Sequence, residues 1–327
     1  MRKFLALVTI LATAGGGWFF SKNFKIEGLD NLTFSPRDAS SDSLGHGSNL
    51  PGVARNGNSV RIASFNIQVF GEKKMSNPRV VALLAEIVRQ FDIVAIQEVR
   101  SKQDFLPQFV DQLNATGRHY DYVIGPRLGR TSSKEQYVFV FDTASIEIDR
   151  TALYTVSDPD DLLHREPLVG WFRVRGPPAE EAFTFSLVNI HTDPDETAQE
   201  LDALADVFRA VRDDGRGEDD VVVLGDLNVD EQHLGRLGQI SNIHWAVSGV
   251  STNTRGTKQY DNIVFSQLAT TEYTGRWGVF DMIRQFNLTT EEALEISDHM
   301  PVWAEFTLRE GGQPGRVAVR PFNATTR

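Results

Sequence analysis

The chain has 327 residues, of which 41% are hydrophobic, so it is long enough to bury one large core or two smaller ones. Lys and Arg number 33 against 44 Asp and Glu, and the net charge of −11 argues against a basic protein that wraps nucleic acid without regard to sequence. A nucleic-acid enzyme whose positive charge is local or supplied by metal is not excluded, whereas the absence of cysteine excludes disulfides, thiolate zinc sites and a cysteine nucleophile.

The N-terminus carries a targeting pattern. Arg2 and Lys3 precede an apolar run, and the letters ATA at positions 12–14 form a small-x-small cleavage candidate. We therefore predict that Met1–Phe20 is a secretory signal or an uncleaved membrane anchor, and that the protein is exported or membrane-tethered. A buried apolar helix is the alternative. Residues 21–58 are rich in Ser, Gly, Asn and Asp, which predicts a flexible linker.

The folded domain is predicted at residues 59–308, where apolar runs of strand and helix type alternate. Residues 247–259 are predicted to be loop, and the Gly-, Pro- and Arg-rich residues 309–327 a disordered tail. This alternation of strands and helices, with polar residues at the strand ends, predicts a layered α/β domain whose site lies along one rim of its sheets. The predicted strands are Ser59–Asn66, Asp92–Glu98, Tyr120–Gly125, Tyr137–Phe141, Pro167–Arg175, Phe183–Ile190, Val221–Leu224, Ile263–Phe265 and Val302–Leu308, and the predicted helices are Arg79–Gln90, Lys102–Asn114 and Glu196–Arg212.

The stretch VVVLGDLNVD, Val221–Asp230, is the most informative in the chain. Its β-branched run predicts a buried strand that Gly225 ends. Asp226 and Asn228 follow two residues apart, so in an extended backbone their side chains point to the same side. Hard oxygen ligands placed in this way suit Mg²⁺, and a strand end capped by a turn is the alternative.

Other predicted strand ends repeat this pattern of polar residues. Taken singly, each residue has an ordinary explanation: Glu98 can cap a helix, and His191 can be a satisfied histidine at a sheet edge. Polar groups at the ends of separate apolar runs are costly to bury unless they serve each other or an ion, which favours one shared site. The set is Asn66, Glu98, Glu135, His191, Asp226, Asn228, Asp261, Asp298 and His299.

These motifs resemble the endonuclease/exonuclease/phosphatase superfamily, and within it the deoxyribonuclease I-like branch. The matching stretches occur in the family's order and span Arg61 to Phe306: ASFNIQVFGEKKMSN, DIVAIQEVR, LGRTSSKEQY, LVNIHTDPDE, VVLGDLNVD, QYDNIVF and ISDHMPV. The resemblance implies an α/β (α+β) four-layer fold in which two packed β-sheets are flanked by helices. It also implies Mg²⁺-dependent hydrolysis of a phosphodiester, with Mn²⁺ as a substitute and Ca²⁺ as a further candidate ion.

The resemblance also implies roles for individual residues. It makes His191 and His299 catalytic histidines, with Glu135 and Asp261 as their respective carboxylate partners. Which histidine is the base and which the acid stays open. Metal and phosphate binding falls to Glu98, Asn66, Asp226, Asn228 and Asp298, of which Asp226 and Asn228 also belong to the catalytic set. Substrate binding falls to Arg100, Arg165, Arg130 and Asn66, although surface solubility is the alternative explanation for Arg100 and Arg165.

The chain departs from the branch where the family holds the minor groove. Gln68 stands in place of an Arg, Ser133 in place of an aromatic residue, and Thr131 in place of an Asn. The family's disulfide cysteines are missing, and its calcium ligands have no clear match.

We predict from these features a divalent-metal-dependent endonuclease that cuts DNA with low sequence specificity. The first alternative is a phosphatase or phospholipid phosphodiesterase of the same superfamily, which the apolar N-terminus supports and the Glu135–His191 pair opposes. A non-catalytic binding module is the second alternative, and the intact set of acid, base and metal residues argues against it. DNA is the expected substrate, membrane association through the N-terminal segment is a further expectation, no protein partner is evident, and a monomer is expected.

Overall fold

The computed structural model of the chain describes residues 57–130 and 134–311. The predicted targeting segment Met1–Phe20, nearly all of the predicted linker and most of the predicted tail lie outside the described residues. Within the two described ranges, no helix is long and apolar enough to cross a membrane.

Two β-sheets form the centre of the domain. The first has, in spatial order, β12 (Tyr273–Val279), β13 (Val302–Thr307), β1 (Ser59–Phe70), β2 (Ile93–Val99), β4 (Gln136–Asp142) and β3 (Tyr120–Ile124). β1 runs parallel to β2, and on its other side it is antiparallel to β13, with Ser59 opposite Thr307. The first strand of the domain is therefore paired with its last.

The second sheet has, in spatial order, β10 (Ile243–Trp245), β11 (Asp261–Ser266), β9 (Val221–Asp226), β8 (Thr184–His191), β7 (Leu168–Val174) and β5 (Ile146–Ile148), and β6 (Tyr154–Thr155) pairs with β7. β8 and β9 are parallel, and the other pairings are antiparallel. Strands β8 and β9 are fully buried, as their continuous apolar runs predict.

Helices cover the outer faces of the two sheets. They are α1 (Glu72–Met75), α2 (Pro78–Val88), α3 (Leu106–Asn114), α4 (Thr197–Arg212), α5 (Gly235–Gly238), α6 (Met282–Phe286) and α7 (Thr290–Ile296), with a 3-10 turn at Arg150–Ala152. α2 begins one residue before the predicted start at Arg79, because the Asn77 side chain caps it by accepting from the backbone N–H groups of Arg79 and Val80, and Pro78 occupies the first turn.

The hydrophobic core consists of layers between these elements. Aromatic rings fill the space between the sheets, where Phe172 stacks on Phe185 at 5.7 Å and meets Phe139 edge-on at 5.3 Å. Helices α2, α3 and α7 cover the first sheet, and α4 covers the second. The predicted four-layer fold is confirmed.

A buried polar network joins the two sheets beneath their carboxyl ends. The Gln97 amide on β2 donates to Asn189 Oδ1 on β8 at 2.7 Å, and Asn189 Nδ2 donates in turn to the carbonyl oxygens of Ile96 and Val138. The hydroxyl of Tyr137, at the start of β4, accepts from the backbone N–H of His191 at 2.9 Å. Buried polar groups that satisfy one another specify one arrangement of the sheets, so the rim above this network is held in register.

Several predicted boundaries need correction. β1 continues past Asn66 to Phe70, with a shift in its pairing to β2 between these two residues. The helix predicted from Lys102 begins at Leu106, because Ser101 and Asp104 accept backbone N–H groups in a preceding turn. The ordered chain also continues beyond residue 308, the predicted end of the domain: Arg309 bridges to Ala182, and the Glu310 N–H donates to the Glu181 carbonyl.

Candidate active site

The predicted site residues meet at one rim of the two sheets. The parallel pairs β1–β2 and β8–β9 end at this rim, and β11 begins there because Asp261 lies opposite Asp226 in the ladder. Together they form an open cleft of about 360 Å³. Its walls include Glu98, Arg100, His191, Asp226, Asn228 and His299.

His191, the last residue of β8, is held from behind by Glu135. The Nδ1 of His191 lies 2.8 Å from Glu135 Oε1, and Glu135 is fully buried. Burial opposes the charge of Glu135, but the hydrogen bond and charge of His191 and the charges of Arg165 and Arg100 hold its pKa at about 2. An ionised carboxylate only accepts hydrogen bonds, so Nδ1 carries the proton and Nε2 faces the cleft. Burial lowers the pKa of His191, but Glu135 and Asp226 outweigh it and raise the pKa.

His299 has the same arrangement on the other side. Its Nδ1 lies 2.9 Å from Asp261 Oδ2, which also accepts from the Thr252 hydroxyl at 2.6 Å. Burial raises the pKa of Asp261. Burial also opposes the charge of His299, but the attraction of Asp261 and Asp226 raises the His299 pKa well above its usual value.

Asp226 lies between the two imidazoles. Its Oδ2 is 3.5 Å from His191 Nε2 and 3.4 Å from His299 Nε2. The same oxygen accepts from Asn66 Nδ2 at 3.0 Å, and Oδ1 accepts from the Asn228 backbone N–H at 3.1 Å. Burial would raise the pKa of Asp226, but the two histidines and these hydrogen bonds lower it. The Nε2 atoms of the two imidazoles therefore converge on one carboxylate oxygen.

Glu98 forms a second acidic corner with its neighbours. It accepts from Asn66 Nδ2 at 3.3 Å and from the Val69 backbone N–H at 2.9 Å, and its Oε2 lies 3.3 Å from Arg100 Nη2. Glu98 and Asn228 have positive φ angles of 59° and 54°. Asparagine tolerates this conformation, but for Glu98 it is strained, and such strain is held only where the surroundings fix it and is concentrated at functional sites.

The chemistry of this corner fits a hard divalent cation. The buried atoms Asn66 Oδ1 and Asp298 Oδ1 have no hydrogen-bond partner within the described part of the chain. Buried oxygens of this kind are costly unless they bind an ion. Asp226, Asp261 and His299 are a second grouping with ligand atoms within 4.8 Å of one another. We favour the corner at Glu98 for the metal, because Asp261 and His299 already bond each other.

Lys74 is a site residue that our sequence analysis missed. Its ammonium donates to the Ile296 carbonyl at 2.6 Å and to the Gln68 carbonyl. Burial lowers its pKa to about 8, although Asp298 and Glu98 oppose the shift. The matching stretch ASFNIQVFGEKKMSN contains this lysine, but the sequence alone does not show that the lysine lies near Asp298 and Glu98.

The predicted substrate arginines have partners inside the protein. Arg100 reaches Glu135 as well as Glu98, with its Nη2 3.1 Å from Glu135 Oε2. Arg165 is only 5% exposed, and its Nε lies 2.9 Å from Glu135 Oε1, so it is not a surface arginine. Arg130 pairs with Asp161 and Glu196. Their roles with substrate stay predictions.

His164 lines the cleft beside Asp193, with 3.5 Å between Nδ1 and Oδ2, and was not among the predicted residues. Gln68 lies in β1 near its end. Thr131 and Ser133, the other two departures from the family pattern, lie outside the described residues.

Comparisons with known proteins agree with this geometry. The sequence profile of the Endonuclease/Exonuclease/phosphatase family matches residues 63–299. Deoxyribonuclease-1 of Bos taurus is 35% identical over 274 residues, which cover 79% of this chain and 96% of the bovine protein. Deoxyribonuclease gamma of Rattus norvegicus is 33% identical over 269 residues, which cover 77% of this chain and 85% of the rat protein.

Solved structures show the same fold at low identity. The catalytic domain of human Nocturnin with bound sulfate superposes with a TM-score of 0.53 at 14% identity, over 76% of this chain and 94% of that one. Truncated Caenorhabditis elegans TDP2 gives a TM-score of 0.53 at 16% identity, over 76% of this chain and 98% of that one. At these identities the likeness shows the fold alone.

Proposed function

Because the chain belongs to the endonuclease/exonuclease/phosphatase family and is related to deoxyribonuclease I, we propose that it is a divalent-metal-dependent endonuclease acting on DNA. It cuts phosphodiester bonds with low sequence specificity and leaves 5′-phosphate and 3′-hydroxyl ends. The DNA substrate is carried over from the names of the relatives, and the chemistry is supported by the site itself.

One observation carries the proposal. Two buried histidines, each bonded through Nδ1 to a carboxylate, direct Nε2 to within 3.5 Å of the same Asp226 oxygen. Hydrolysis of a phosphodiester needs a base for the attacking water and an acid for the leaving oxygen on opposite sides of one phosphorus. A pair of oriented imidazoles that face one point supplies both groups.

The two histidines transfer the protons, and their carboxylate partners orient them. One imidazole accepts the proton of the attacking water, and the other donates a proton to the leaving oxygen. A neighbouring carboxylate raises the pKa of each ring, so either imidazole can hold the proton that the leaving oxygen takes. Glu135 and Asp261 fix the orientation of the rings and stabilise their charged forms.

A metal ion completes the proposal. Glu98, with Asn66 Oδ1 and Asp298 Oδ1, would hold Mg²⁺, and Mn²⁺ is a substitute with the same preference for oxygen. When bound, such an ion neutralises negative charge on the phosphoryl oxygens as the transition state forms. Asn228 is fixed by donating from Nδ2 to the Thr192 carbonyl at 2.8 Å, and it borders the space where the phosphate would lie.

Nicking of supercoiled plasmid tests the proposal. The protein is incubated with plasmid in Mg²⁺ and in excess chelator, and in parallel with a lipid phosphodiester. We expect nicking only with Mg²⁺, and its loss in His191→Ala but not in His233→Ala, whose ring is exposed on the surface. Cleavage of the lipid with intact plasmid would replace the proposal with the phospholipid phosphodiesterase alternative.

We also propose that Met1–Phe20 directs export, on the basis of its basic start and apolar run. Cell fractionation of the full-length chain beside a chain that begins at residue 21 tests this. We expect the first outside the cytoplasm and the second, still active, inside it. Full-length, uncleaved protein free in the cytoplasm would contradict both the signal and the anchor.

A further inference from the structure

A second acidic cluster lies at the end of the sheets opposite the active site. Asp220 directly precedes β9, whose other end is Asp226, so strand rise places the two about 20 Å apart. Glu272 precedes β12, and Glu310 follows β13. One carboxylate oxygen from each of Asp220, Glu272 and Glu310 lies within 4.8 Å of the other two.

The cluster is buried and incompletely bonded. Asp220 and Glu272 are each 1% exposed, and Asp220 Oδ1 and Glu272 Oε2 have no hydrogen-bond partner in residues 57–130 and 134–311. The Thr270 hydroxyl, which is not acidic, is equally buried and lies close enough to Asp220 to oppose the rise in that carboxyl's pKa. Unpaired buried oxygens of this kind are expensive in a folded protein.

Without a bound cation, the negative charges of the cluster are also unfavourable. Burial, and then the charges of Glu272 and Glu218, raise the pKa of Asp220 to about 9. Glu218 itself is satisfied, because its Oε2 accepts from the Trp171 indole at 3.0 Å and its Oε1 from the Asp220 backbone N–H at 2.9 Å. The remaining carboxylates repel one another, and only a proton or a cation relieves that repulsion.

We propose that Asp220, Glu272, Glu310 and the Thr270 hydroxyl form a binding site for a divalent cation, with Ca²⁺ the best match. Oxygens bound to one Ca²⁺ at about 2.3–2.6 Å lie at most about 5 Å apart, which agrees with the observed grouping. The ligands come from three separate segments and include a neutral hydroxyl, an irregular set that Ca²⁺ accepts. Mg²⁺ gives up its waters reluctantly and needs near-octahedral geometry, so a buried cluster suits it less.

The site would join the two sheets at the end farthest from the catalytic rim. Asp220 leads into the second sheet, whereas Glu272 and Glu310 flank strands of the first. The Glu310 carboxylate already accepts from the Thr184 backbone N–H of β8 at 3.2 Å, so the chain after β13 crosses to the second sheet. A cation here would stabilise the fold without taking part in the reaction.

Calcium titration of full-length, chelator-stripped protein tests the proposal. Binding of Ca²⁺ is followed by calorimetry, and stability by thermal unfolding. At a Ca²⁺ concentration 100 times Kd, the ratio of folded to unfolded protein should rise about 100-fold, with a Tm increase of several degrees. Unchanged Tm and no binding heat at millimolar Ca²⁺ would overturn the proposal and favour a shared proton.

Variants locate the site. Asp220→Asn and Glu272→Gln should each lose the Ca²⁺-dependent rise in Tm. Both should also be more stable than stripped wild type, because they remove buried like-charge repulsion. Glu180→Gln, which removes an exposed carboxylate, should respond as wild type does. Glu98→Gln should keep the response too, which separates this site from the active-site metal. A Ca²⁺ response retained in both Asp220→Asn and Glu272→Gln would rule the cluster out.

Discussion

Each of the two cleft histidines has its Nδ1 committed to a buried carboxylate, which leaves a single nitrogen for chemistry. Removing a positioned acid or base typically lowers a rate by about 10²–10⁴. We expect His191→Ala and His299→Ala each to lose at least 10²-fold in plasmid nicking while circular dichroism shows a folded protein. His233→Ala is the matched control and should retain the full rate. A variant at either cleft histidine that cleaves at nearly the wild-type rate would remove that residue from the mechanism.

The Glu135–His191 pair makes stability depend on pH in a defined direction. The pKa of Glu135 falls from 4.5 to about 2, so its contribution is present above pH 4.5 and is lost as pH falls toward 2. The pKa of His191 rises above 6.5, so its contribution is complete below pH 6.5 and is lost as pH rises through the raised value. The pair therefore contributes fully between pH 4.5 and 6.5.

Urea unfolding in excess chelator measures this contribution. The difference in unfolding free energy between wild type and His191→Ala should be largest near pH 5.5 and should shrink steadily toward pH 9. A difference that is constant or grows over this range would show that His191 is not held in its charged form.

Lys74 has a structural role that its neighbour Lys73 does not share. Its ammonium donates to two backbone carbonyls, whereas Lys73 is exposed. Leaving buried acceptors without a donor costs about 1–3 kcal/mol, so Lys74→Met should lower the unfolding free energy by about that amount. Lys73→Met should change it by less than about 0.5 kcal/mol. Equal effects in urea unfolding would contradict the assigned contacts.

At the scale of elements, the end of β1 is under backbone strain. Val69 has a φ of 51° and is 50% exposed, and its N–H holds Glu98 in place. A β-branched residue is disfavoured at positive φ, and such strain costs about 1–3 kcal/mol. Asn tolerates this conformation, so Val69→Asn should raise the Tm by about 2–4 °C. Val250→Asn is the control, since Val250 is exposed but not at positive φ. An unchanged or lower Tm in Val69→Asn alone would count against strain at this position.

The elements that could be predicted from sequence are those with a strong apolar period. Buried strands such as Val221–Asp226 and the amphipathic helix α4 were found within a few residues of their ends. β12 was missed because most of its residues are exposed or half-buried, so it shows no alternation. α7 was missed although Thr289 and Glu292 form a capping box, a signal that a polar stretch can still carry.

At the scale of the whole molecule, the proposed DNA substrate is a polyanion, whereas the protein itself is acidic. The net charge is −11, and Arg100 is shared between two carboxylates. Each phosphate that a protein neutralises adds about 0.9 to the slope of log affinity against log salt. Gln68→Arg should therefore tighten DNA binding at low salt and steepen this slope by about 0.9. Fluorescence anisotropy between 50 and 200 mM salt, as an order-of-magnitude range, measures both. Gln112→Arg, on the exposed face of α3, is the control. An identical change in both variants would show that Gln68 does not contact the minor groove of the DNA.

The sequence predicts which residues lie at the site, but it does not predict which charged groups pair with one another there. Strand ends and motif order predicted which residues come together at this rim, because parallel strands bring their carboxyl ends to one edge. The sequence does not show which partners the buried cations contact. Arg165 and Lys74 are cations whose partners, Glu135 and two backbone carbonyls, lie far away in sequence. Only the packed sheets show which neighbours they meet.

Because β1 pairs with β13, the active site cannot be complete until the last strand has been synthesised. A nascent chain that has released β1, β2 and β8 still has one edge of β1 unpaired, because its partner is the last strand. His299 precedes that strand directly, so one of the two imidazoles also arrives last. Domains emerge at about 5–20 residues per second, N-terminus first. A ribosome that stalls before residue 297 therefore releases a fragment with every earlier rim residue and no complete acid–base pair. Such a fragment lacks the second imidazole that the proposed reaction requires.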